Sequence, residues 1–173
     1  MDSISSGQSP PAAFDAVRAH AAGATCQFIT CTLGEAEYGL DIMAVREIKG
    51  WTETTAIPHA PEWMRGVMNL RGVIVPILDL RARFGQPATQ PTSMHVVVLM
   101  QTGSRTVGLL VDAVSDIISV APGDIRPLPE IGAEGAEALL SGLVPLERGM
   151  VALLAVNQLL SFPSDVAPTP ANH

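Results

Sequence analysis

The sequence predicts an all-β protein: two small five-stranded barrels related by a pseudo-twofold around one shared aliphatic core, with only short helical turns. Three observations carry this. Short Val- and Ile-rich runs recur at about 8–12-residue spacing between Gly, Pro and Asn turns. The chain is 47% hydrophobic but only 4% aromatic, so its core is aliphatic. The pattern also repeats: Gly39-Leu40-Asp41-Ile42-Met43-Ala44-Val45-Arg46-Glu47-Ile48 lies against Gly108-Leu109-Leu110-Val111-Asp112-Ala113-Val114-Ser115-Asp116-Ile117 at an offset of 69, and Gly34 falls on Gly103. Later, Arg65-Gly66 falls on Ser141-Gly142 and Asp79 on Asn157, so the offset grows to 78. Each half is too small to be robust alone, which implies one folding unit.

Residues 1–24 are rich in Ser, Pro and Ala and read as a mobile arm with a short helix over 14–22. Strands are expected over 25–33 and 38–42, joined by a hairpin at Gly34, then over 43–48 and, briefly, 54–57. In 43–48, alternation puts Val45 and Glu47 on one face. A helical turn follows over 61–64, with Pro61 at its start. Strands over 67–70 and 73–78 flank a turn at Asn69-Leu70-Arg71-Gly72. Pro76 cannot donate to a ladder, so the second strand should be an edge there or carry a bulge. Asp79 reads as the N-cap of a helix over 80–84 that Gly85 stops. After a linker over 86–93, strands are expected over 94–100, 105–111, 114–120, 139–146 and 150–156, with Asn157 capping a last turn. The expected organisation is an arm (1–24), a core domain (25–162, subdomains about 25–85 and 94–162) and a disordered tail (163–173).

A net charge of −7, with one lysine, argues against nucleic acid or an anionic membrane as primary partner. No apolar run approaches the roughly 18 residues of a membrane-spanning helix, and residues 1–23 lack the pattern of a secretory signal. Cys26 and Cys31, five apart on one strand, face opposite sides and read as buried small hydrophobes of a reducing compartment.

Catalytic material is weak. The four histidines are isolated, no nucleophile elbow or phosphate loop is present, and Asp41, Glu47, Asp79, Asp112 and Asp116 are singly spaced. No catalytic residue, metal or cofactor is called for. Arg71, alone in an apolar stretch, reads either as a turn residue in water or as a cation aimed at a carboxylate, with Glu47 a fitting partner at the rim of an inter-barrel groove.

The run Phe28-Ile29-Thr30-Cys31-Thr32-Leu33-Gly34-Glu35-Ala36-Glu37-Tyr38-Gly39-Leu40-Asp41-Ile42 resembles the opening of the bacterial chemotaxis coupling proteins of the CheW family. So do Val45-Arg46-Glu47-Ile48, Asn69-Leu70-Arg71-Gly72 followed by Pro76-Ile77-Leu78-Asp79-Leu80, and Val107-Gly108-Leu109-Leu110-Val111-Asp112. The resemblance covers about residues 25–162. It implies two five-stranded SH3-like barrels and a non-catalytic, cytoplasmic adaptor, held at membrane-associated arrays through its partners. Those partners would be the tips of methyl-accepting chemoreceptors and the regulatory domain of a CheA-type histidine kinase. The receptor-facing groove it implies comprises Ile42, Val45, Glu47, Arg71, Val96, Gly108 and Val114. Flagellar and type IV pilus pathways stay open, and an enzyme with a site in the inter-barrel groove is the alternative of a different class.

Overall fold

The computed structural model describes residues 25–129 and 139–160; the expected arm and tail, with the helix over 14–22, lie outside the described residues. Ten strands are described: β1 (Cys26–Leu33), β2 (Ala36–Asp41), β3 (Val45–Gly50), β4 (Met64–Leu70), β5 (Val73–Asp79), β6 (Val96–Thr102), β7 (Arg105–Val111), β8 (Ala113–Val120), β9 (Leu140–Leu146) and β10 (Gly149–Leu154). Two one-turn helices, α1 (Leu80–Arg83) and α2 (Val156–Leu159), follow β5 and β10. The expected strand over 54–57 is only an isolated bridge, Thr55 to Val67.

One sheet, barrel 1, runs β8-β1-β2-β10-β9; the other, barrel 2, runs β3-β6-β7-β5-β4. Moving each strand five places along the chain converts one order into the other, so the sequence repeat is the pseudo-twofold. The expected subdomain boundaries are corrected, however. Barrel 1 takes β1 and β2 from the first half of the chain and three strands from the second; barrel 2 takes three from the first and two from the second. Each repeat thus lends its first hairpin to the other's barrel. The parallel pairs β2–β10 and β5–β7 join the two contributions.

The irregularities repeat as well. Bulges fall at Arg46 and Ser115, 69 apart, and at Arg65 and Ser141, 76 apart. Gly39 and Gly108 sit opposite Leu153 and Ile77 on the parallel neighbours. A Cβ on Gly39 would lie 2.7 Å from Leu153 Cδ2, and one on Gly108 would lie 2.6 Å from Ile77 Cδ1. Asp79 falls not on Asn157 but on Ala155, the N-cap of α2, so the late offset is 76 rather than 78.

The core has three compartments. Phe28, Ile118, Val144, Val151 and Leu153 fill barrel 1 with Cys26. Met68, Val75, Ile77, Val97, Leu99 and Leu110 fill barrel 2. Between them lies a larger core that includes Cys31, Leu33, Leu40, Leu78, Val98, Met100, Leu109 and Leu154. This explains the unbroken apolar runs: in β6, Val97 and Leu99 enter barrel 2 while Val98 and Met100 enter the shared core. Cys26 and Cys31 form no disulfide and are buried in different compartments, as their spacing predicts. Burial, with the nearby charges of Glu37 and Asp112, pushes the Cys31 thiol up to about 12. Pro76 precedes the β5–β7 pairing, which begins at Ile77, so β5 is locally an edge there.

Candidate functional surface

The β4–β5 hairpin turns on two residues, Arg71 (φ 52°) and Gly72 (φ 89°), between paired Leu70 and Val73. Two consecutive positive φ values make a type I′ turn, which fits the twist of the flanking strands. The left-handed position is costly for a side chain other than Gly or Asn, on the order of 1 kcal/mol. Asn69 Oδ1 accepts from Gly72 N–H at 2.8 Å and holds the turn. So held, Arg71 reaches across the open seam between edge strands β3 and β4 and donates to Glu47 Oε1 at 2.6 Å. The Arg71 hydrogen bond and charge hold the Glu47 carboxyl below its usual range and push Arg71 up. The Glu47–Arg71 pair, one of the two readings of Arg71 that the sequence left open, is therefore present. Arg71 remains 69% exposed and Glu47 34%, so Arg71 is open to a partner.

The shared strand face expected for Val45 and Glu47 is corrected. The bulge at Arg46 places Val45 opposite Met100, on the shared core, and Glu47 opposite Leu99, on the barrel 2 side. An extra residue in a strand flips everything beyond it, and alternation counted along the sequence misses that.

Val45, Val96 and Val114 are half-buried and pack on the rim of the shared core. Val45 and Val114 are repeat equivalents, so they flank that core symmetrically. Ile42 begins a 3₁₀ turn, Ile42–Ala44, capped by Asp41, whose carboxylate accepts from Met43 N–H at 2.9 Å. This turn carries the chain from barrel 1 to barrel 2. Gly108 does not join these residues. It is buried, and its missing side chain leaves room for Ile77, Val97 and Leu99 inside barrel 2.

Two further exposed apolar residues lie on the same strands and were not singled out from the sequence. Ile48 (44% exposed) lies opposite Val98 and Ile117 (53% exposed) opposite Ile29, on the strands that carry Val45 and Val114. The offset of 69 relates them too, and applying the repeat to Val45 and its neighbours would have found them.

Beside Val96, the second crossover is fixed by charge. Asp112, between β7 and β8, accepts from Gly34 N–H at 2.7 Å and from Arg81 Nη2 at 2.6 Å, with His95 Nε2 3.5 Å away. Burial pushes its carboxyl up, but the Arg81 and Gly34 hydrogen bonds and the charges of Arg81 and His95 outweigh this and hold it low.

Among the described residues, no group of three or more His, Cys, Asp or Glu is placed to hold a metal, and no helix is long and apolar enough to cross a membrane.

Residues 27–163 match the family model described as a CheW-like domain. The chain is 45% identical over 139 residues to "Chemotaxis protein CheW" of Rhizobium meliloti (strain 1021), covering 80% of this chain and 88% of that protein. It is 44% identical over 135 residues to the protein of the same name from Klebsiella aerogenes, covering 78% of this chain and 81% of the relative. Among solved structures it is similar to the scaffolding protein TtCheW from Thermoanaerobacter tengcongensis, with a TM-score of 0.73 and 29% identity over 80% of this chain and 89% of that one.

Proposed function

The chain belongs to the CheW family and is an adaptor of chemotaxis signalling; from that premise we propose that it couples chemoreceptor cytoplasmic tips to a CheA-type histidine kinase. The coupling domain occupies about residues 25–162, in line with the matched span of 27–163. The protein works as a binding surface rather than an enzyme, in the cytoplasm and at membrane-associated arrays through its partners.

The receptor-facing surface comprises Ile42, Val45, Glu47, Arg71, Val96 and Val114, extended by Ile48 and Ile117. Gly108 supports it from inside barrel 2. The observation that carries this reading is the Glu47–Arg71 pair beside an exposed apolar rim. A helical tip would lay apolar side chains on the rim and meet a charge held in fixed geometry at its edge. Arg71 projects from a turn it strains, which favours positioning over stability.

Calorimetric titration with a receptor tip fragment, and separately with the kinase regulatory domain, tests this. Arg71→Glu should weaken receptor binding by at least tenfold, leaving kinase binding and melting temperature unchanged. Receptor binding undiminished in this variant would remove Arg71 from the site. Combining it with Glu47→Arg separates two roles: partial rescue means the pair acts as a unit, whereas no rescue means Arg71 itself meets the receptor.

A further inference from the structure

The chain around α1 and the chain around α2 are built alike but filled differently. Asp79 N–H donates to the Trp63 carbonyl at 2.7 Å, and Ala155 N–H donates to the Leu139 carbonyl at 2.7 Å. Phe84 N–H then donates to Leu80 O (3.1 Å) and Leu160 N–H to Val156 O (2.9 Å). The offset of 76 therefore holds through both helices, and Trp63 and Arg83 are the equivalents of Leu139 and Leu159. Those two leucines are 4% and 0% exposed and belong to the shared core. In barrel 2 the Arg83 guanidinium lies over the Trp63 ring, 4.8 Å from its centroid.

This exchange leaves a charge without a counterion. Arg65 lies beside Asp79, and Arg81 pairs with Asp112. Arg83 has no such carboxylate among the described residues, and its buried Nε donates to nothing. Burial pushes its guanidinium below the ordinary range, and no neighbouring charge offsets this. A buried acid or lysine can shed its charge; an arginine cannot. The fold does not require this cation, since leucines fill the same two positions around α2. Stacking on Trp63 fixes the plane of the guanidinium. A fixed plane suits a carboxylate, which takes two parallel hydrogen bonds in it. Arg83 is only partly buried, so such a group can reach it from outside.

We propose that Arg83 is a docking residue for the kinase regulatory domain and receives one of its carboxylates; this rests on the coupling function proposed above. Two placements keep Arg83 off the receptor-facing surface. β4 and β5, of seven residues each, run between Trp63 and the Arg71 turn and span on the order of 20 Å. Arg81 and Arg83 are two residues apart on α1, about 200° around its axis. Arg81 faces Asp112, whose cluster abuts Val96, so Arg83 faces away from it. A coupling protein holds two partners at once, and Arg83 lies where the second has room.

Calorimetric titration of the full chain with the kinase regulatory domain, at low and at high salt, tests this. Arg83→Leu, which copies the residue of α2, should weaken binding at least tenfold at low salt. The loss should be smaller at high salt, where screening has already weakened the ion pair. Melting temperature should be unchanged or raised, and binding of the receptor tip unchanged. Arg83→Lys, which keeps the charge without the planar fork, should recover part of the loss. Kinase binding undiminished in Arg83→Leu overturns the proposal. So does a loss equal at both salt concentrations, which packing alone would give, or a loss of receptor binding instead. A lowered melting temperature makes Arg83 part of the fold and likewise overturns it. An unsubstituted chain that does not bind the kinase domain overturns the coupling function itself, and this proposal with it.

Discussion

Barrel 2 ends in α1, whose first turn is capped by the buried carboxylate of Asp79; barrel 1 ends in α2, where Ala155 holds the same place and caps with no side chain. Asp79 accepts from Arg81 N–H at 3.1 Å and from Thr89 twice, and lies 3.7 Å from Arg65. One strand order and one bulge pattern thus end in two chemistries. The turn arginines diverge in the same way. Arg71 spans the seam of barrel 2 to Glu47, whereas Arg148, in the equivalent β9–β10 turn, donates twice to Glu37 on β2, the strand beside β10 (3.0 and 2.8 Å). A pseudo-symmetric scaffold keeps backbone geometry at both ends and leaves side chains free to specialise: one closes a seam at an exposed rim, the other ties strands within a sheet.

The largest test removes the difference. Asp79→Ala makes α1 resemble α2, and it should cost about 2–4 kcal/mol, the sum of a lost N-cap, lost hydrogen bonds to a buried carboxylate and the loss of the opposite charge beside Arg65. Denaturant unfolding measures it, and a loss below about 1 kcal/mol would mean that Thr89 and the cap are not held by this carboxylate. Next come the paired glycines. Gly108→Ala and Gly39→Ala should each cost about 1–3 kcal/mol by overpacking. Gly108 should cost more, because two side chains, Ile77 and Val97, lie within 3.0 Å of the added carbon, against one at Gly39. Equal losses would mean that the two barrels relax alike. A smaller effect of opposite sign is expected for Ala155→Asp, which gives α2 the cap that α1 has: a gain of up to about 1 kcal/mol by the same measurement.

The smallest effect lies in pH dependence. Asp112 and Glu37 have carboxyls held below the ordinary range. For Asp112 the hydrogen bonds from Arg81 and Gly34 overcome burial; for Glu37 the Arg148 hydrogen bond leads. A carboxyl that titrates lower in the folded than in the unfolded state contributes stability in full above its unfolded pKa, about 4. That contribution drains as pH falls through the lowered folded value. Asp112→Asn should therefore flatten the acid limb of a stability–pH curve, and an unchanged slope would remove the Arg81–Asp112 pair from acid unfolding.

Much of this was legible in the chain. The 69-residue repeat announced the pseudo-twofold, Gly34 and Gly103 marked equivalent turns, and Asp79 before Leu80 announced the α1 cap. Glu47 and Arg71 could be paired because a lone arginine in an apolar turn needs either water or a carboxylate. Local chemistry fixes these features, and local chemistry is written in neighbouring residues. The face of Glu47, the burial of Gly108 and the swapped hairpins were not legible. A bulge such as that at Arg46 leaves little local signature yet flips the strand beyond it. Gly108 reads as a glycine of the strand over 105–111, and by resemblance as a groove residue, until Ile77 and Val97 are seen to need its space. Alternation says that a strand has a buried face but not which strand it pairs with. Whether β1 and β2 join their own half or the other is settled by long-range pairing with β8 and β10, which only the closed tertiary structure provides.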